Sequence, residues 1–172
     1  MRAIPILLAI SIASPAAARD FAVYPIGQSQ IVNGLEVTPV YFQPIDLDGA
    51  MMHPAADSDI HLEADILATK GDADGYAEGD WRPYLTVTYR LIKTATGQRL
   101  AGTLMPLVSY GGGRIGKPHY GDNLKLMGPG RYRFELSVAP PAAGQTAVAA
   151  SFKPFTVDYD FVYAGVGKKG AY

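Results

Sequence analysis

Apolar and polar residues alternate along most of the chain after residue 34, which is the pattern of half-buried β-strands. The alternating runs are Leu35–Phe42, Ile60–Leu67, Tyr84–Leu91, Leu100–Val108, Arg131–Val138 and Phe155–Tyr163. We find no convincing amphipathic helix. Six or seven short strands separated by Gly- and Pro-rich turns predict an all-β fold, an immunoglobulin-like antiparallel β-sandwich, with a barrel as the alternative.

The first 18 residues differ from the rest of the chain. Arg2 is followed by an apolar stretch from Ile4 to Ile12 and by the small residues Ala16–Ala18. This order is typical of a secretory signal peptide, and a buried N-terminal strand is the alternative. We therefore predict a signal at residues 1–18 and one domain over residues 19–172. The apolar stretch is too short to span a bilayer, so we expect no direct insertion into the membrane.

Composition excludes several kinds of site. The chain has no cysteine, which rules out disulfides, thiolate zinc sites, iron–sulfur clusters, blue-copper sites and a cysteine nucleophile. Fifteen basic and sixteen acidic residues give a formal net charge of -1. Nucleic-acid binding through bulk electrostatics is therefore disfavoured. No Gly-x-Ser-x-Gly motif is present, which argues against a hydrolase triad.

Two of the three histidines lie in segments that favour metal binding. His61 and Glu63 are two apart on a predicted strand, so they share a face and can converge on one divalent ion. A solvated outer face explains the same pair without a metal. His119 lies between Pro118 and Gly121, which predicts a histidine presented from a constrained loop. A purely structural histidine is the alternative.

Three methionines also carry possible ligand chemistry. Met105 offers a thioether suited to Cu(I), although a packing methionine is the simpler interpretation. Met51 and Met52 directly precede His53 in an Ala- and Pro-rich loop. Those three side chains are either ligands or parts of an ordinary surface loop.

The acidic stretch Gly71–Asp80 resembles a calcium loop at first sight. Its Gly and Glu residues fall too early for the EF-hand spacing, and no flanking helices are predicted. The stretch instead predicts a hairpin connection.

Five ordered blocks resemble the periplasmic P19-type iron-transport family, which is related to the Tp34 lipoprotein. The blocks are residues 58–66, 81–89, 102–106, 118–123 and 153–159. The resemblance implies an immunoglobulin-like homodimer in the periplasm. It also implies a site for Cu(II), with Fe(II) or Mn(II) as alternatives, and a role beside an inner-membrane iron permease of the Ftr1 type.

The resemblance assigns three ligands and leaves two positions different. The family's His-x-Glu pair matches His61 and Glu63, and its Pro-His-Tyr-Gly histidine matches His119. The family's Met-Pro-Met motif, whose second methionine is a ligand, here has Leu107, which leaves Met105 near the site.

A further family histidine is missing from this chain. The segment 142–152, where it would lie, contains none. His53 or Met51 is our candidate to fill the vacant position.

These observations favour a metal-binding accessory protein for iron uptake rather than an enzyme. A ferroxidase-like metalloenzyme is one alternative, and an interaction module that has lost its metal is another. Because a histidine must be neutral to bind a metal, we expect metal affinity to fall as the pH drops below about 6.5.

Overall fold

The computed structural model describes residues 22–47, 51–107, 117–142 and 151–167, so the predicted signal at 1–18 lies outside them. The strands of the described residues are β1 (Tyr24–Pro25), β2 (Gln30–Val32), β3 (Leu35–Phe42), β4 (Ile60–Ala68), β5 (Thr86–Lys93), β6 (Arg99–Leu107), β7 (His119–Leu124), β8 (Gly130–Ala139) and β9 (Phe155–Tyr163). A 3-10 turn covers Ala55–Asp57. The all-β prediction is confirmed, and each predicted run forms a strand within two residues of its expected ends. No helix in the described parts of the chain is long and apolar enough to cross a membrane.

The strands form one antiparallel sheet in the order β1-β3-β4-β7-β6-β5-β8-β9, with β2 also paired to β3. Strand β6 joins the two halves of this sheet. Its residues 99–104 pair with β5, and its residues 105–107 pair with β7. The result is a continuous, curled antiparallel sheet.

The curl brings β3 and β9 together across the core. The Tyr41 ring on β3 lies 5.8 Å from the Phe161 ring and 6.2 Å from the Tyr163 ring, both on β9. The hydroxyl of Tyr159 donates a hydrogen bond to the carbonyl of Val37 (3.3 Å). Burying this aromatic cluster removes a large apolar area from water, which stabilises the curled sheet.

Strand β4 presents its two faces to different surroundings. Leu62, Ala64 and Ile66 belong to the apolar core. Because successive side chains on a strand alternate, His61 and Glu63 point to the opposite face of the sheet.

The acidic segment between β4 and β5 is not a hairpin connection, because β4 pairs with β3 and β7 while β5 pairs with β6 and β8. Two of its carboxylates instead form ion pairs with an arginine side chain of the same chain. The buried guanidinium of Arg82 forms ion pairs with Asp72 and Asp74. A buried arginine needs such partners to offset its desolvation.

The region around His119 also differs from the sequence prediction. His119 does not lie in a loop but begins β7, a strand between β4 and β6 whose six residues are all buried. The segment shows no alternation, and its Asp122 and Asn123 are residue types that strands disfavour, which explains the error. The Tyr120 hydroxyl anchors the strand by accepting a hydrogen bond from the Leu85 N–H (2.9 Å).

Candidate metal centre

The predicted ligands meet on the face of the sheet opposite the core, across β4 and β7. His61 pairs in register with Asn123, and Glu63 pairs with Gly121. His119 lies two residues before Gly121 on β7, so its side chain shares that face. Register pairing therefore brings together residues that are almost 60 positions apart in the chain.

The ligand atoms of His61, Glu63 and His119 all lie within 4.8 Å of one another. The His119 Nε2 to Glu63 Oε2 distance is 3.7 Å, and the two imidazole rings are nearly perpendicular with centroids 5.8 Å apart. An ion with bonds of about 2.1 Å requires ligand atoms within about 4.2 Å of each other. Side-chain shifts of less than about 1 Å would satisfy this requirement.

Asn123 fixes the tautomer of His61. The Asn123 Nδ2 donates to the carbonyls of Ile45 (2.6 Å) and His53 (2.7 Å), so its Oδ1 must be the acceptor that faces His61 Nδ1 at 3.0 Å. A neutral His61 therefore carries its proton on Nδ1. Its Nε2 keeps a free lone pair.

His119 has the same tautomer for a different reason. Its Nδ1 lies 2.9 Å from the carbonyl oxygen of Lys117, which can only accept a hydrogen bond. Within the described ranges, the buried Nε2 atoms of both His61 and His119 lack a hydrogen-bond partner. A buried polar atom without a partner is costly, so two such atoms beside a carboxylate indicate a cation-binding site. The residues present therefore fit a metal ion.

Burial sets the charge states of these groups. It lowers the pKa of His61 to about 4, with the nearby His119 adding to the effect, and it also lowers the pKa of His119. It raises the pKa of Glu63 to about 7, assisted by the neighbouring Asp65 carboxylate. At neutral pH both imidazoles are thus neutral and ready to coordinate, whereas Glu63 is only partly ionised.

Gly121 leaves the space in which the histidine lone pairs meet. The sequence predicted a constrained loop bounded by Gly121, but this residue lies inside β7. A β-carbon added at this position would lie 2.6 Å from His61 Nε2 and 3.1 Å from Leu107 Cδ1. Glycine is therefore needed here for close approach rather than for a turn.

Comparison with known proteins now identifies the family. The family model described as Fe2+ transport protein matches residues 20–165. The chain belongs to this Fe2+ transport protein family. A UPF0423 protein of Brucella abortus is 47% identical over 99% of this chain and 96% of its own length.

Two solved structures are similar to this chain. A copper-bound Glu-to-Gln variant of FetP from uropathogenic Escherichia coli is 41% identical, with a TM-score of 0.74 over 85% of this chain and 100% of its own. Copper-reconstituted P19 from Campylobacter jejuni is 38% identical, with a TM-score of 0.74 over 86% of this chain and 99% of its own. The predicted resemblance to the P19-type family is thereby confirmed.

Two residues of β6 flank the site. Met105 pairs in register with Gly121, and Leu107 pairs with His119, so both face the candidate ligands. Leu107 is a buried apolar residue at the position where the P19-type pattern has a methionine. That Met105 contributes its thioether to an ion stays a prediction.

The structure places His53 on a different partner. Its Nδ1 lies 2.8 Å from Asp122 Oδ2, and its side chain is largely exposed. Among the described histidines and carboxylates, the group of clustered ligand atoms contains His61, Glu63 and His119 but not His53. The hypothesis that His53 fills a vacant coordination position receives no support from this arrangement, which does not test Met51.

Sequence reasoning missed the role of Asn123, because neither its burial nor its position in a strand is visible in the sequence. We expect Asn123→Leu to lower Cu(II) affinity about 10-fold, since the His61 ring loses its fixed tautomer. The check is a long-range ¹H–¹⁵N NMR spectrum of the metal-free protein. It should show the proton of His61 on Nδ1 in the wild type and a tautomer mixture in the variant.

Asn123→Asp is the matched control for that change. An aspartate keeps the acceptor for His61 Nδ1 but loses the donors to Ile45 and His53. Both variants should be less stable, while only Asn123→Leu should release the tautomer. A single Nδ1–H tautomer in Asn123→Leu would contradict the assignment.

Proposed function

We propose that this chain is a periplasmic metal-binding accessory protein of a high-affinity iron uptake system, with Cu(II) held by His61, Glu63 and His119. One observation carries the proposal. The Nε2 atoms of His61 and His119 are buried without a hydrogen-bond partner among the described residues, and the ligand atoms of both histidines and of Glu63 lie within 4.8 Å of one another. A cation satisfies all three groups at once.

The donor set selects the class of ion. Two imidazoles and a carboxylate are nitrogen and oxygen ligands of intermediate softness, which suit Cu(II), Fe(II) or Mn(II). Among these ions Cu(II) binds most tightly at a given site of this kind. The copper named for the FetP and P19 structures and the Fe2+ named for the family agree with this choice.

The surrounding residues define what the protein contributes. Asn123 and the Lys117 carbonyl orient the two imidazoles. The buried Leu107 places an apolar side chain beside His119, and the Glu63 carboxylate would partly balance the charge of the ion. A bound copper ion supplies a redox-active centre. We propose that the protein uses it in delivering or redox-handling iron, without being an enzyme.

The remaining parts of the proposal concern the cellular setting. The pattern of residues 1–18 supports secretion to the periplasm, the compartment in which the similar FetP of uropathogenic Escherichia coli was recombinantly expressed. We propose an immunoglobulin-like homodimer that works with an inner-membrane iron permease of the Ftr1 type. Strand β6 pairs with β5 over its first part and with β7 over its last part. This change of partner supports two layers within the curled sheet, as an immunoglobulin-like fold requires.

The pH dependence of Cu(II) binding tests the proposed site. Burial raises the pKa of Glu63 to about 7, lowers that of His61 to about 4 and lowers that of His119 below its ordinary value, so Glu63 is the first of the three ligands to bind a proton as the pH falls below neutrality. We expect affinity to be flat above pH 7.5 and to fall about 10-fold per unit between pH 6.5 and 5. The measurement is a Cu(II) competition titration in non-coordinating buffers.

This expectation corrects the sequence-based view that histidine protonation sets the limit. Glu63→Gln should bind Cu(II) more weakly at pH 8 but lose the slope between pH 6.5 and 5. The same slope in wild type and Glu63→Gln would rule out the carboxyl group as the proton source. An absence of Cu(II) binding at every pH would contradict the proposed function.

A further inference from the structure

Adjacent residues on β7 hold two histidines in opposite environments. Asn123 binds His61, which is fully buried, and Asp122 binds His53, whose side chain is 70% exposed. The buried histidine belongs to the site described above. The exposed one has no role in that site.

The exposed His53 is nevertheless fixed in position by hydrogen bonds to Asp122 and Asn123. Its backbone N–H donates to Asp122 Oδ1 (3.1 Å), and its backbone carbonyl accepts from Asn123 Nδ2 (2.7 Å). The ring is fixed by the 2.8 Å contact of Nδ1 with Asp122 Oδ2, an oxygen of a largely buried carboxylate. These three bonds fix both the backbone and the ring.

The carboxylate also determines which ring nitrogen is available. Because Asp122 accepts, neutral His53 carries its proton on Nδ1 and has its lone pair on Nε2. A carboxylate behind a histidine is the arrangement that orients metal-bound imidazoles in proteins and increases their basicity. The Nε2 atom lies on the side of the ring away from Asp122.

Two thioethers directly precede this imidazole. Met51 is 87% exposed and Met52 is half-buried. Methionine is normally a buried residue, so an exposed one beside an oriented histidine is unusual. Thioethers are soft ligands that select Cu(I) over harder divalent ions.

We propose that Met51, Met52 and His53 form a second metal site, at the surface, which takes Cu(I). Its sulfur-rich donor set differs from the nitrogen and oxygen set of the buried site, so the two sites suit different oxidation states of copper. The negative charge of Asp122 balances a monovalent ion. The inference does not depend on the buried site, because the two sites share no ligand.

An anaerobic Cu(I) titration against the chromophoric chelator bicinchoninate tests the proposal. The His61→Ala/His119→Ala protein is used so that the buried site does not contribute. We expect one equivalent of Cu(I) to bind. Met51→Leu/Met52→Leu and His53→Gln, added separately, should each weaken that binding at least 10-fold.

These variants are chosen to preserve the fold. Leucine matches methionine in volume, and glutamine retains an N–H donor for Asp122. Met127→Leu is the matched control and should leave Cu(I) binding unchanged. A second measurement uses the wild-type chain, in which Cu(I) should shift the ¹³C methyl signals of Met51 and Met52 but not that of Met127.

The outcomes separate this proposal from the function of the buried site. Equal Cu(I) affinity in all variants, no Cu(I) binding, or unshifted Met51 and Met52 signals would overturn the surface site. In the wild-type background, Met51→Leu/Met52→Leu should leave Cu(II) affinity unchanged. A loss of Cu(II) binding in that variant would also contradict the proposal, because it would make the two sites one.

Discussion

Replacing either His61 or His119 by alanine is expected to lower the Cu(II) affinity of the protein at least about 100-fold at pH 7.5, more than the loss of a residue that only orients a ligand. Each substitution removes one of two nitrogen ligands whose lone pairs converge with the Glu63 carboxylate. The measurement is a competition titration against a chelator of known Cu(II) affinity.

The third histidine of the chain supplies the matched control. His53 lies outside the cluster, so His53→Ala should leave Cu(II) affinity within about 2-fold of wild type, well below the 10-fold that corresponds to about 1.4 kcal/mol. Circular dichroism should show that all three variants keep their strand signal. Unaltered Cu(II) binding in both His61→Ala and His119→Ala would refute the site, whereas a loss in all three would indicate non-specific histidine binding.

The strands were predictable where one face is buried and the other is not. Strand β9 alternates strictly, with Val157, Tyr159, Phe161 and Tyr163 buried and the intervening residues exposed. Strand β7 has buried residues on both faces, so no alternation marks it in the sequence. The face of β7 opposite the core carries His119, which lies beside His61 and Glu63 of β4.

The site divides in the same way into local and non-local parts. His61 and Glu63 share a face because strands have a period of two, which the sequence reveals directly. Their approach to His119 depends on the register between β4 and β7, which only the folded sheet sets. The sequence placed His119 with them through the family resemblance rather than through any local pattern.

Electrostatics were the least predictable part of the site. Unperturbed values suggest that histidine is the group that titrates near neutrality and that glutamate is ionised. Burial reverses this order, because it lowers the pKa of His61 and raises that of Glu63. The depth of each side chain, which decides the reversal, is a property of the packed sheet.

Gly121→Ala should lower Cu(II) affinity about 100-fold. The added methyl group displaces the ligand His61 itself, which costs more than the loss of a residue that only orients a ligand. The added β-carbon would lie 2.6 Å from His61 Nε2, closer than real contacts allow. The ring has little freedom to retreat, because Asn123 holds its Nδ1 and the Phe42 ring lies 4.9 Å from it. We also expect the free energy of unfolding to fall by about 1–3 kcal/mol from overpacking.

Gly102 on β6 provides the control that separates crowding from loss of the site. A β-carbon there would lie 2.7 Å from the Tyr89 hydroxyl, so Gly102→Ala crowds a strand to a similar extent without touching the candidate ligands. Chemical denaturation and Cu(II) titration of both variants give the comparison. Both should lose stability, but only Gly121→Ala should lose Cu(II) affinity. Wild-type affinity in Gly121→Ala would mean that the ion does not sit where His61 Nε2 points, because the added methyl group occupies that space.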